Sequence, residues 1–225
     1  YMLPPRILVS LSLFALLASI PMLFQASRSI SEAQDPATGN LFSVPSGIYE
    51  SSRHNFRVVT LAEGLENPWC IAWLPNGDML VTERPGRLRM IRNGKLEIEP
   101  ISGWPRVYKE LGQGGFMDVV PHPDFSSNRL LYLSYGKPNE AGSEGTTTVV
   151  RGRLMGHRVV DVEEIFEANA WGDNNNHFSG RMVFDHKGYL FLAVGDRLVT
   201  PDMMDEHPAQ DLTNHMGTIV RLHDD

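Results

Sequence analysis

Arg181 to Asp196 reads RMVFDHKGYLFLAVGD, an apolar run, a turn built around Asp185, His186, Lys187 and Gly188, and a second apolar run. That is the pattern of a β-hairpin. Two other stretches repeat it: CIAWLPNGDMLVTE at Cys70–Glu83 and FMDVVPHPDFSSNRLLYLSY at Phe116–Tyr135. Each is followed by a strand carrying Arg and Leu, namely GRLRMI, TTVVRGRL and GTIVRL, and no segment sustains a helical period. Repeating antiparallel units of roughly 45 to 65 residues predict an all-β chain of four-stranded blades, the unit of a β-propeller.

The three repeats superpose on the last apolar residue of each first strand, Leu74, Val120 and Phe184. Seven residues back from each stand Asn67, Gln113 and His177. First strands of successive blades line a propeller's central channel, so these hydrogen-bonding side chains are expected to ring one end of it. Asn67, followed by Pro68, is read instead as a turn former. If the hairpin turn is centred between His186 and Lys187, facing residues have numbers summing to 373, which sets His177 against Asp196. Their Cβ atoms then lie roughly 5 Å apart if no bulge intervenes. A carboxylate beside an imidazole fixes its tautomer and strengthens it as a base. The same spacing also suits a plain hydrogen bond closing the strand ends, and the position at the channel favours catalysis.

The 225 residues, 42% hydrophobic and 21% charged with 20 Gly and 15 Pro, are globular in composition and rich in turns. A net charge of −7 with no basic run excludes a phosphate-backbone partner. The single cysteine, Cys70, lies in an apolar run and is expected to be a small buried hydrophobe. Phosphate loops, G-x-S-x-G elbows and H-E-x-x-H motifs are missing. Asp173–Asn176 (DNNN) has Phe178 where a calcium loop needs glycine, and is read as a polar turn presenting His177. His122 and Asp124 are expected to shape a turn, and Asp205, Glu206 and His207 to form a solvated loop. Arg6 precedes the apolar run Ile7–Phe24, so residues 1–34 read as an export signal or an uncleaved anchor, with the remainder exported, in the periplasm. Residues 35–55 read as linker and 56–225 as the propeller portion.

The blocks ENPWCIAWLPNGDMLVTERPGRLRMI, GQGGFMDVVPHPDF, NHFSGRMVFDHKGYLFLAVGD and AQDLTNHMGTIVRL occur in that order. Together they resemble the soluble aldose sugar dehydrogenases of the glucose/sorbosone dehydrogenase family, six-bladed propellers that use pyrroloquinoline quinone (PQQ) and calcium. The likeness runs from about Val58 onward. It implies that His177 is the general base, that Asp196 assists it and that Gln113 contacts quinone and substrate. The implied reaction is oxidation of an aldose at C1 to its lactone, with electrons passed to an external acceptor. Asn176 stands where glucose-specific members carry an acidic residue, so the resemblance leaves the sugar open. The family's calcium ligands and the basic residues for the cofactor's carboxylates belong to later blades. About three blades cannot close a ring, so the chain reads as part of a longer protein and, alone, as inactive. Two other readings are a metal-dependent lactonase propeller, with Asn67, Gln113 and Asp196 as ligands, and a propeller that only binds.

Overall fold

The computed structural model describes residues 47–108, 113–199 and 206–224. The leader and most of the linker lie outside them. A short ribbon, β1 (Ile48–Tyr49) with β2 (Phe56–Arg57), comes first, and the expected domain start at Phe56 falls within it. Two four-stranded antiparallel sheets follow: β3 (Pro68–Trp73), β4 (Met79–Glu83), β5 (Arg87–Arg92) and β6 (Lys95–Leu96), then β7 (Phe116–Pro121), β8 (Leu130–Pro138), β9 (Gly145–Met155) and β10 (Arg158–Glu167). A third sheet has three strands, β11 (Ser179–Phe184), β12 (Leu190–Val194) and β13 (Thr218–Leu222). The only helix among the described residues longer than a 3-10 turn is one turn, α1 (Phe125–Asn128). The first strands β3, β7 and β11 are neighbours in space, as the inner strands of successive propeller blades are.

Period-two alternation explains how the middle blade is buried on both faces. On β8, Leu131, Leu133 and Tyr135 join Leu80, Leu88 and Met90 of the first blade, while Tyr132 joins Met182, Leu190 and Leu192 of the third. On β9, Val150 and Leu154 face the first blade and Val149 the third. Each of these side chains is at most 4% exposed. At roughly 1.5–3 kcal/mol per buried aliphatic or aromatic side chain, the two interfaces outweigh any single polar contact in the fold.

The register of the β11–β12 hairpin corrects one expectation. Phe184 faces Leu190 and Met182 faces Leu192, so numbers near the turn sum to 374 and the turn centres on Lys187. The cause is a three-residue loop: Asp185 N–H donates to the Tyr189 carbonyl, Gly188 has φ +86°, and the Asp185 carboxylate accepts the N–H groups of Lys187 and Tyr189 at 2.8 and 2.9 Å. A bulge between Ser179 and Met182 then inserts one residue, and Ser179 faces Val194, restoring 373. Gly180 sits in that bulge at φ +95°, where a side chain would run into Met117. His177 and Asp196 therefore do face each other, because a bulge corrects a turn that is half a residue out.

Candidate active site

The chain at the start of β11 and just after β12 is held in an uncommon conformation. His177, Ser179, Arg197 and Leu198 all have positive φ, four of the eight non-glycine residues that do so among those described. Such residues cost of order 1 kcal/mol or more each and persist only where their surroundings over-determine them. Here they do. Gln113 Oε1 accepts the His177 N–H at 2.8 Å, and the His177 carbonyl accepts the Arg197 N–H at 3.3 Å. From the middle blade, Thr147 Oγ1 donates to the Phe178 carbonyl at 2.8 Å and Ser134 Oγ to that of Gly180 at 2.6 Å. A Cβ on Gly195 would overlap the His177 carbonyl, so only glycine lets the two chain segments approach this closely.

The asparagine run does present His177. Asn174 Oδ1 accepts the Asn176 N–H at 3.0 Å, and its amide donates to the Arg197 carbonyl at 2.7 Å. Asn175 accepts the Gln113 N–H at its carbonyl and the Gly114 N–H at its side chain. Arg197 gathers this loop from behind. It is fully buried, its guanidinium donates to the carbonyls of Ala170, Gly145, Gly172, Asn174 and Asn176, and it stacks 3.5 Å from the Phe178 ring centre. Burial pushes its pKa down to about 10, still high enough to keep the charge at neutral pH.

His177 Nδ1 lies 2.6 Å from Asp196 Oδ1. A carboxylate can only accept, so Nδ1 carries the proton and Nε2 is left with its lone pair as the basic nitrogen. With 42% of its side chain exposed, the imidazole is accessible to a substrate. Burial raises the Asp196 pKa, but the hydrogen bonds from His177 and the Leu198 N–H and the charges of His177 and His207 outweigh it, so the carboxyl is held below its ordinary range. A depression of about 540 Å³ is lined by Gln113, His177, Asp196 and His207, with Ser179 and Gly217. With its oxygen accepting the His177 N–H, Gln113 keeps its amide N–H groups for a ligand.

The structure thus brings Gln113, His177 and Asp196 together. It leaves Asn67 out: Asn67 accepts the Arg84 guanidinium at 3.3 Å and also has positive φ, a turn position like that of His177 but without its chemistry. Asn67 is not among the residues that line the depression shared by Gln113 and Asp196. His122 behaves as a loop former, with Nδ1 accepting the Asp124 N–H at 2.9 Å. Two expectations need correction. Of the loop read as solvated, Glu206 is exposed, but His207 turns inward to 3.7 Å from Asp196 Oδ2 with 16% of its side chain exposed; Asp205 lies outside the described residues. Cys70 is buried but not merely apolar, since its thiol donates to Asp118 Oδ1 at 2.7 Å.

Residues 65–225 match the family model described as Glucose / Sorbosone dehydrogenase. The chain belongs to this family. Its relatives include the aldose sugar dehydrogenase YliI of Escherichia coli, 42% identical over 170 residues that cover 74% of this chain and 44% of the relative. A crystal structure of a glucose dehydrogenase superposes with a TM-score of 0.67 at 40% identity, over 74% of this chain and 47% of that one. The PQQ-bound aldose sugar dehydrogenase of Streptomyces coelicolor superposes with a TM-score of 0.61 at 22% identity, over 74% of this chain and 47% of that one, a likeness of fold. The chain spans less than half the length of each. The family fold is the β-propeller seen in these blades.

Proposed function

We propose that this chain carries the base-bearing side of a quinone-dependent dehydrogenase that oxidises aldose sugars at C1 to the lactone. The observation that carries the reading is the His177–Asp196 pair, in which the tautomer is set and Nε2 is accessible. His177 Nε2 takes the C1 hydroxyl proton, and the ionised Asp196 balances the imidazolium that results. Gln113 keeps the His177 backbone in its left-handed conformation and offers its amide to a carbonyl oxygen in the depression. That donor beside an imidazole suits the carbonyl edge of PQQ, which the Streptomyces coelicolor neighbour binds. When bound, the quinone supplies the acceptor for the hydrogen and electron pair leaving C1. Calcium is different: no group of three or more His, Cys, Asp or Glu among the described residues is placed to hold a metal ion, so no step is assigned to one.

Electrons then pass to an external acceptor, and residues 1–34, read as an export signal or an uncleaved anchor, would make this an exported reaction. Dye reduction by the intact protein, driven by an aldose and dependent on added PQQ, tests the reading. Lactone hydrolysis without PQQ, or no aldose oxidation with it, would overturn it.

A further inference from the structure

We propose that His207 is a positioning residue, a third member of the site that holds the second oxygen of the Asp196 carboxylate so that the first stays turned to His177. The inference rests on the reading of His177 as the base. Asp196 Oδ1 already accepts from His177 Nδ1 at 2.6 Å and from the Leu198 N–H at 3.0 Å. Oδ2 faces His207 Nε2 at 3.7 Å. The protonation of that nitrogen follows from the other side of the ring. His207 Nδ1 accepts the Ala209 N–H at 3.2 Å, capping the short 3-10 turn Pro208–Gln210, so a neutral His207 carries its proton on Nε2. The N–H therefore stands on the side of Asp196. At 3.7 Å the contact is looser than a hydrogen bond, and it acts as an oriented dipole.

The placement is built into the chain. Gly217, at φ +66°, lies beneath the 3-10 turn, where a Cβ would stand 2.6 Å from Ala209 Cβ and 3.7 Å from Asp196 Cβ. Only glycine there lets the turn settle against Asp196, and His207 comes with it. The imidazole is mostly buried, whereas Glu206 just before it is exposed. Without a partner on Oδ2, the carboxylate is held through Oδ1 alone, and the Nδ1 hydrogen bond that sets the His177 tautomer has a less firmly fixed acceptor.

Two substitutions separate the roles of the ring. His207→Asn keeps an acceptor for the Ala209 N–H, and so the cap, but removes the donor facing Asp196. His207→Gln places an amide donor near the position of Nε2. The first readout is the downfield proton resonance of His177 Nδ1 in its short bond to Asp196, measured in the intact protein without cofactor. Wild type and His207→Gln should show it, and His207→Asn should lose or broaden it. The second is turnover with PQQ, which should fall about tenfold in His207→Asn with KM unchanged and recover in His207→Gln. If His207→Asn keeps both resonance and turnover, or if His207→Gln loses the resonance as His207→Asn does, the positioning role is wrong. If no form, wild type included, oxidises an aldose with PQQ, the dehydrogenase reading fails, and the resonance still decides the role of His207.

Discussion

His177 Nδ1 stands 2.6 Å from Asp196 Oδ1 across a strand pair whose register changes by one residue between its turn and that contact. The bulge that makes the change also lets the chain turn sharply at Gly180, so the imidazole is set by backbone geometry on one side and by a carboxylate on the other. Replacing it tests the chemistry with little risk to the fold, because 42% of the side chain is exposed and the core clusters do not include it. His177→Ala in the intact, PQQ-loaded protein should lower turnover by at least about a hundredfold while the protein still folds, with melting temperature falling only by what the lost Asp196 hydrogen bond supplies. Near-normal turnover would remove His177 from the reaction.

Asp196→Asn keeps the shape and removes the charge. It should slow turnover less than His177→Ala does, since the amide can still accept from Nδ1 but no longer balances an imidazolium. Its effect on stability has a defined pH window. The folded carboxyl is held below its ordinary 3.8, so its contribution is fully present above that value and is lost as pH falls through the lower folded one. Urea titrations of wild type and Asp196→Asn should thus differ above about pH 4 and converge below it. A gap that persists unchanged in strong acid would mean that the carboxylate is not stabilised by these partners.

Much of this site was legible in the primary structure, for reasons particular to each residue. Repeated strand–turn–strand runs make the blades readable, because period-two burial leaves its mark on every strand of β8 and β9 type. The His177–Asp196 pairing was legible because a strand pair obeys a sum rule, yet the turn at Lys187 and the bulge at Gly180 both depart from the simple ladder, and their departures cancel. His207 was not legible. Nothing local distinguishes it from a solvated loop residue, and its place depends on the short turn Pro208–Gln210 and on Gly217, ten residues further along. Arg197 was hidden too, since an arginine in a loop ordinarily faces water, and only the five carbonyls converging on it draw it in.

Cys70 offers a check on the interface between blades. Its thiol donates to Asp118, a carboxylate that also accepts the Met182 N–H at 2.7 Å and the Arg181 guanidinium at 3.2 Å, so all three blades meet at one side chain. Burial first, then the Asp118 carboxylate, raise the thiol to about 11. At pH 8 only about one thiol in a thousand is ionised. Maleimide should leave Cys70 unmodified in the native protein and label it fully in denaturant. Rapid native labelling would show that the blades part at Asp118.

Arg197 separates support from chemistry. It touches no point from which a substrate could be reached, being fully buried, yet its guanidinium is the common donor for the Asn174 and Asn176 carbonyls of the run that precedes His177 and for that of Gly145. Arg197→Leu fills similar space but leaves those carbonyls without their donor, and a stability loss of about 3 kcal/mol or more is expected. Arg197→Lys keeps the charge but not the planar fork, so it can serve only part of the set and should fall between the two. Because the loop carries His177, turnover should drop in both variants in proportion to the loss of order there, while the affinity of the site for a sugar ring changes less. Hydrogen exchange at Asn175–His177 measures that order directly. If exchange there is unchanged in Arg197→Leu while the protein as a whole is destabilised, Arg197 serves the blade interface and not the base.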